Sequence, residues 1–304
     1  MRSVTDLHRD FAGSRFDADA AVGAADAAAR AAGVQVREIG EIGELDAVYR
    51  LYADIWRPEP KNPPVTTELL RALSKAGNYV AGAFAGDELV GACVGFFGAP
   101  VDQALHSHIA GVSGAARGRS VGFALKVHQR AWSMLRAVAT VAWTFDPLVR
   151  RNAFFNLVKL AAQPEEYLNN FYGGVHDAIN GGDDTDRLLV RWPLDDPSVA
   201  AACVGITAAA DADAERASGA AIALRVGALG GPALGTLDAR TLLVGIPADI
   251  EQLRLSDPGC GKDWRLALRD VLGTLIADGA RVTGFDRAGW YVLDRHDPAT
   301  KDSR

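Results

Sequence analysis

The strongest constraint on the fold is a strand-like run that feeds a glycine-bearing turn and then an amphipathic helix. Leu105 to Val112 is the strand-like run, and Arg117-Gly118-Arg119-Ser120-Val121-Gly122-Phe123-Ala124 is the turn. From Val121 to Leu135, the residues Val121, Ala124, Leu125, His128, Trp132 and Leu135 fall on one helical face. Lys126, Gln129, Arg130 and Ser133 take the opposite, polar face. A strand that passes directly into such a helix belongs to an α/β architecture. The first turn of the helix leaves backbone N–H groups unpaired, and the helix dipole adds partial positive charge. The turn therefore suits a phosphate or pyrophosphate.

The same reading extends along the chain. Strands are expected at Val34–Ile39, Tyr79–Ala85, Leu89–Phe97, Val138–Phe145 and Arg187–Pro193. Helices are expected at Glu41–Trp56, Thr66–Lys75 and Arg150–Ala162, with a breaker cluster at Pro58, Pro60, Pro63 and Pro64. Residues 1–33 are rich in Ala and Asp with few large apolar side chains, and read as a flexible N-terminal segment, either a mobile tail or a loosely docked helix. Ala200–Ala221 has few large apolar side chains and reads as a linker. Beyond it, Leu242–Ile246, Asp263–Ala277, Arg281–Phe285 and Gly289–Leu293 give strand, helix, strand and strand. The expected division is a flexible segment at 1–33, a first domain at 34–194, a linker at 195–220 and a smaller α/β domain at 221–304.

Composition removes several function classes. A net charge of -6 argues against nucleic acid or an anionic membrane as partner. No apolar run approaches membrane-spanning length, and Asp17, Asp19 and Asp26 interrupt the alanine-rich start, so no signal peptide is expected. The three cysteines, Cys93, Cys203 and Cys260, are far apart, which suits a reducing cytoplasm and no disulfide framework. His106-Ser107-His108 is the one histidine cluster, and no third metal ligand accompanies it.

Arg119-Ser120-Val121-Gly122-Phe123-Ala124 fits Gln/Arg-x-x-Gly-x-Gly/Ala, and in this strand-to-helix position it resembles the pyrophosphate loop of the GNAT superfamily of acyl-CoA-dependent N-acyltransferases. Arg151 to Ala162 resembles a later helix of that family through Ala153, Lys159 and Leu160. It departs in two ways: Ala161-Ala162 replaces a Gly-Phe pair, and Leu157 stands where many members have a tyrosine that protonates the leaving thiolate. Trp143 to Leu148 resembles a branch of the superfamily with a carboxy-terminal extension, which would suggest acylation, including succinylation, of an amino acid.

The resemblance covers about half the chain and implies a GNAT-like mixed sheet flanked by helices, with the second smaller α/β unit beside it. It implies acyl-CoA, as acetyl-CoA or succinyl-CoA, for co-substrate, a small-molecule amine for acceptor, and no metal. The pantetheine would pair with the strand edge at Ile109, Ala110, Gly111 and Val112. The diphosphate would lie on Arg117, Arg119, Ser120, Val121, Gly122, Phe123 and Ala124, with Asn152 and Asn156 as further cofactor contacts. Direct attack of an amine on the thioester needs a base, an oxyanion donor and an acid for the thiolate. His108, on the fourth strand, is the base of choice, with His106 beside it. Asp146, at the end of the fifth strand, is the rival, and a turn residue before Pro147 is its plainer reading. Tyr172 or Tyr167 would replace the missing thiol acid. Arg265 and Arg269, one helical turn apart, could clamp a carboxylate, surface pairs with residues such as Asp270 beside a core Trp264 being the plainer reading. Three rivals remain open: a non-catalytic acyl-CoA sensor or scaffold, a GNAT-fold acyl-CoA decarboxylase, and an unrelated nucleotide-binding fold. The oligomeric state is open, a dimer included.

Overall fold

A computed structural model describes residues 4–58, 63–99, 104–173 and 183–295; for residues 4–17 it describes the helical backbone alone. Pro60 of the breaker cluster lies outside the described residues. Two compact units emerge. Unit 1 comprises residues 1–143 and 192–206, and unit 2 comprises 144–191 and 207–304. This division differs from the contiguous domains expected from composition, because it runs through two strands instead of through a linker.

The first half of the chain forms α1 (Val4–Ala32), β1 (Gln35–Glu38), α2 (Ile42–Trp56), α3 (Thr67–Lys75), β2 (Tyr79–Ala85), β3 (Glu88–Phe97), β4 (Ala104–Val112), α4 (Val121–Met134) and β5 (Thr140–Phe145). There follow α5 (Arg150–Ala153), which continues as a π-helical turn over Phe154–Lys159, β6 (Gln163–Leu168), β7 (Arg187–Pro193) and α6 (Pro197–Cys203). These seven strands make one mixed sheet in the order β1-β2-β3-β4-β5-β7-β6. The helix-flanked α/β sheet expected from the sequence is therefore present.

Unit 2 continues with α7 (Ala212–Ala217), β8 (Ala221–Val226), β9 (Pro232–Leu234), β10 (Thr241–Gly245), α8 (Ile250–Ser256), α9 (Pro258–Leu268), a π-helical turn over Arg269–Gly273, α10 (Thr274–Ala277), β11 (Arg281–Asp286) and β12 (Trp290–Asp294). Its separate five-stranded sheet runs β11-β12-β10-β8-β9.

Local chemistry explains most of these elements. α3 starts where Thr66 Oγ1 accepts the Leu69 N–H at 3.2 Å, just after Pro63 and Pro64 end the preceding segment. α2 buries Leu45, Val48, Leu51 and Tyr52 against β2 and β3. Tyr79 and Trp132 meet edge to face at 5.1 Å between α4 and β2.

Two expectations are sharpened. Of the two readings of the N-terminal stretch, residues 4–32 take the helical one, and Ala18, Ala21, Ala25 and Ala32 are buried where the helix packs on α4. Small side chains at helical spacing let two helices approach closely, so a stripe with no large residue still docks. The polar face assigned to α4 is also covered: Lys126, Gln129, Arg130 and Ser133 are all buried. Arg130 donates through Nε and Nη2 to the Leu194 carbonyl at 2.8 and 2.6 Å.

Candidate functional site

In unit 1 the site begins where two parallel strands stop pairing. β4 and β5 pair across Ala104–Thr140, Leu105–Val141 and His106–Ala142 and no further. From Ser107 to Val112, β4 is held by β3 on its other side. A register shift opposite Val94 and Gly95 makes His108 the extra residue of a β-bulge. Among the described residues, the edge that faces β5 is left without a ladder partner along this stretch, a place for an extended ligand to add main-chain hydrogen bonds. Tyr52 Oη donates to the Ile109 carbonyl at 3.4 Å. Gly111 is required by packing: a Cβ there would stand 2.7 Å from Ile55 Cδ1 and 2.8 Å from Trp56 Cη2.

The strand leads to the α4 N-terminus. Ser120 adopts a left-handed conformation at φ 62°, and its side chain caps nothing. Ala124 N–H bonds to the Ser120 carbonyl at 3.0 Å, so the donors ahead of it in the first turn stay outside the helical ladder. The side chains of Val121 and Ala124 are buried, and with the Ala124 N–H spent in the helix only the backbone N–H of Val121, of the two, is left to serve a ligand. Gly122 is not demanded by packing, since a Cβ there would meet only Val112 Cγ2, at 3.7 Å. The open space in front of Gly122 is what a diphosphate would need, so the residues present fit that group. Arg117 is exposed. Arg119 is engaged: its Nη2 donates to the carbonyls of Ala32 and Gly33 at 3.3 Å each, tying the turn to the end of α1. Phe123 is half-buried.

His106 and His108 share the Phe96 face of the sheet, with ring centroids 5.0 and 5.7 Å from that of Phe96. Burial pushes the pKa of both down; for His106 the neighbouring His108 and Lys126 add to this. A histidine held neutral near pH 7 is ready to take a proton.

Sequence reasoning missed Lys126. Its Nζ donates to Ser107 Oγ at 3.0 Å and Gln129 Oε1 at 2.7 Å, and lies 3.6 Å from the Trp143 ring centroid. Ser107 and Trp143 are the residues that follow the last paired positions of β4 and β5. Lys126 thus ties the two strands together at the point where the ladder ends. Burial lowers its pKa to about 8. A lysine three residues before Gln129 on a helix gave no sign of this; only the cover over α4 reveals it.

In unit 2 the candidate residues have other roles. Asp146 is corrected as a base. Its Oδ1 and Oδ2 accept from Arg265 Nη1 and Nη2 at 3.0 and 2.8 Å, and Oδ2 accepts from Arg254 Nη2 at 2.9 Å. Burial raises its pKa, but Arg265 and then Arg254 more than reverse this and hold the carboxyl well below its usual range. A carboxylate so stabilised is a poor proton acceptor. The carboxylates that Arg265 and Arg269 bind are the chain's own, and the surface partner Asp270 is not among them: Arg265 also meets Asp183, while Arg269 meets Asp184 and Asp186. Tyr172 is exposed, with Oη 3.1 Å from Thr144 Oγ1 and the Arg187 guanidinium over its ring. Tyr167 donates to Asp186 Oδ2 at 2.9 Å. Asn152 is half-buried in α5, and Asn156 is buried in the π-helical turn, where its carbonyl accepts from Ala162 N–H at 2.9 Å.

Among the described residues, no three His, Cys, Asp or Glu side chains are grouped as a metal site, and no helix is long and apolar enough to cross a membrane. All three cysteines are free thiols.

No protein-family model matches the chain, and no curated protein matches it. Solved structures similar to it include yncA, a putative acetyltransferase from Salmonella typhimurium with its cofactor acetyl-CoA, at 15% identity and TM-score 0.44, covering 54% of this chain and 95% of that one. Mycobacterium smegmatis RimJ in complex with CoA-disulfide is similar at 18% identity and TM-score 0.44, covering 57% and 89%. The Escherichia coli ribosomal-protein-S18-alanine N-acetyltransferase is similar at 12% identity and TM-score 0.42, covering 53% and 94%.

Proposed function

We propose that unit 1 binds an acyl-CoA and transfers its acyl group to the amine of a small molecule, an amino acid being the expected acceptor. One observation carries the reading: β4 keeps an unpaired edge from Ser107 to Val112 and ends beside the uncapped first turn of α4. The edge suits the amide-bearing pantetheine and the turn suits the diphosphate. His108 takes the proton as the amine nitrogen bonds to the thioester carbon. The C–S bond then breaks, CoA leaves as thiolate, and the proton returns to the sulfur through solvent. A backbone N–H of the free β4 edge stabilises the oxyanion.

The half-buried Leu157, where the resemblance places a tyrosine, favours a second reading, an acyl-CoA sensor without turnover.

Titration calorimetry of the full chain with acetyl-CoA and succinyl-CoA, followed by thiol release with an amino-acid panel, separates the two. Gly122→Asp places a negative charge in the phosphate cradle and should weaken CoA binding at least about tenfold. His108→Ala should keep CoA affinity and lower kcat by about 10²–10⁴. Binding without amine-dependent thiol release would favour the sensor. Absence of CoA binding would remove both.

A further inference from the structure

Unit 2 carries a separate, solvent-open cavity of about 530 Å3 beside α5 and the start of α8. Four cationic side chains line it, Arg150, Arg151, Lys159 and Arg287, against two acidic ones, Asp249 and Glu251. Both acids are already committed. Asp249 Oδ1 accepts the Gln252 N–H at 2.9 Å as the cap of α8, and Glu251 accepts from both terminal nitrogens of Arg151, with Arg151 Nη2 2.7 Å from Oε1. Arg150 donates to the Ala288 carbonyl at 3.2 Å, an uncharged partner. Arg287 lies over the Phe154 ring at 5.2 Å, and neither it nor Lys159 has an ion-pair partner among the described residues. Four positive charges against two negative leave a net excess of two around one concave, partly apolar space.

We propose that this cavity binds a small organic dianion, a phosphate monoester or a dicarboxylate. Guanidinium groups accept either anion in bidentate geometry, and convergent positive charge in a concave site concentrates anions. Phe154 and Phe155 give the carbon skeleton an apolar wall. The proposal uses none of the groups assigned to acyl-CoA and stands or falls without them.

The test is calorimetry of the full chain with glycerol phosphate, inorganic phosphate and succinate, with acetate as the monoanion control. At least one dianion should bind more tightly than acetate, and the arm that binds identifies the chemistry. The double variant Lys159→Glu, Arg287→Glu should weaken that binding at least about tenfold. Both side chains are exposed, so melting curves should overlay; should the double variant unfold, Lys159→Ala and Arg287→Ala singly give the same reading. Gly122→Asp should leave dianion binding intact. The proposal is overturned if no dianion outbinds acetate, if the cavity variants bind as the parent does, or if Gly122→Asp alone abolishes binding.

Discussion

Lys126 in unit 1 and Asp146 in unit 2 are both charged side chains taken almost wholly out of water, at 4% and 8% exposure. Their surroundings differ in kind. Asp146 sits in a lattice of opposite charges: Arg254 and Arg265 bind it and Asp183, while Arg269 binds Asp184 and Asp186. Lys126 meets a hydroxyl, an amide oxygen and the faces of Trp143 and Trp192. Counter-charges fix the ionisation of a buried group far from neutrality, whereas dipoles and π faces leave it able to titrate within reach of physiological pH. The lattice is therefore a structural clamp, whereas the lysine in its cage sits without a counter-charge among the described residues, where the β4–β5 ladder ends.

Breaking the clamp should have the largest effect. Asp146→Ala leaves two buried guanidiniums with Asp183 as their shared acid and should cost about 3–5 kcal/mol, seen as early exchange of unit 2 amides in native-state hydrogen exchange. Acid should act in the same direction. Asp146 and Asp186 have depressed pKa values in the folded chain, so their contribution is present above about pH 4 and is lost as pH falls through the depressed values.

The cage should respond at the other end of the scale. Lys126 titrates near 8 when folded, against 10.5 when solvated. The unfolded chain binds more protons between these values, so unit 1 should gain about 3 kcal/mol as pH rises from about 8 to 10.5. Flat unit 1 protection across that window would show that the amine is hydrated. Lys126→Met should abolish the alkaline gain and stabilise unit 1 at pH 7 by about 1–2 kcal/mol, once Ser107 and Gln129 have lost a donor. The smallest effect is expected from the exposed pair Arg191–Glu165, where Glu165→Gln should change the melting free energy by less than about 1 kcal/mol. A larger loss there would mean that burial is not what separates strong from weak charges in this chain.

The sequence made the scaffold of unit 1 readable because its signals are local. The Thr66 cap, the Ala85-Gly86-Asp87 turn and the apolar runs of β2 to β5 each announce their own element. Asp146 could be located but not interpreted, since its partners Arg254 and Arg265 lie more than a hundred residues away. β6 was missed because Gln163-Pro164-Glu165-Glu166 is polar and half-exposed at the sheet edge. The linker reading of 200–221 failed for a similar reason: α6 and α7 are short and alanine-rich, and Asp196 and Asp211 cap them. Lys126 was read as solvated because helical periodicity reports polarity, while the covering segments α1 and 192–206 come from elsewhere in the chain.

That late segment has a consequence for synthesis. Trp192 and Leu194 complete the surroundings of Lys126 and Arg130, yet they leave the ribosome after the whole 144–191 stretch. At roughly 5–20 residues per second, the nascent chain waits roughly 2–10 seconds with α4 exposed on one side. During that interval two cationic side chains flank an uncovered apolar helix until the chain returns to close it.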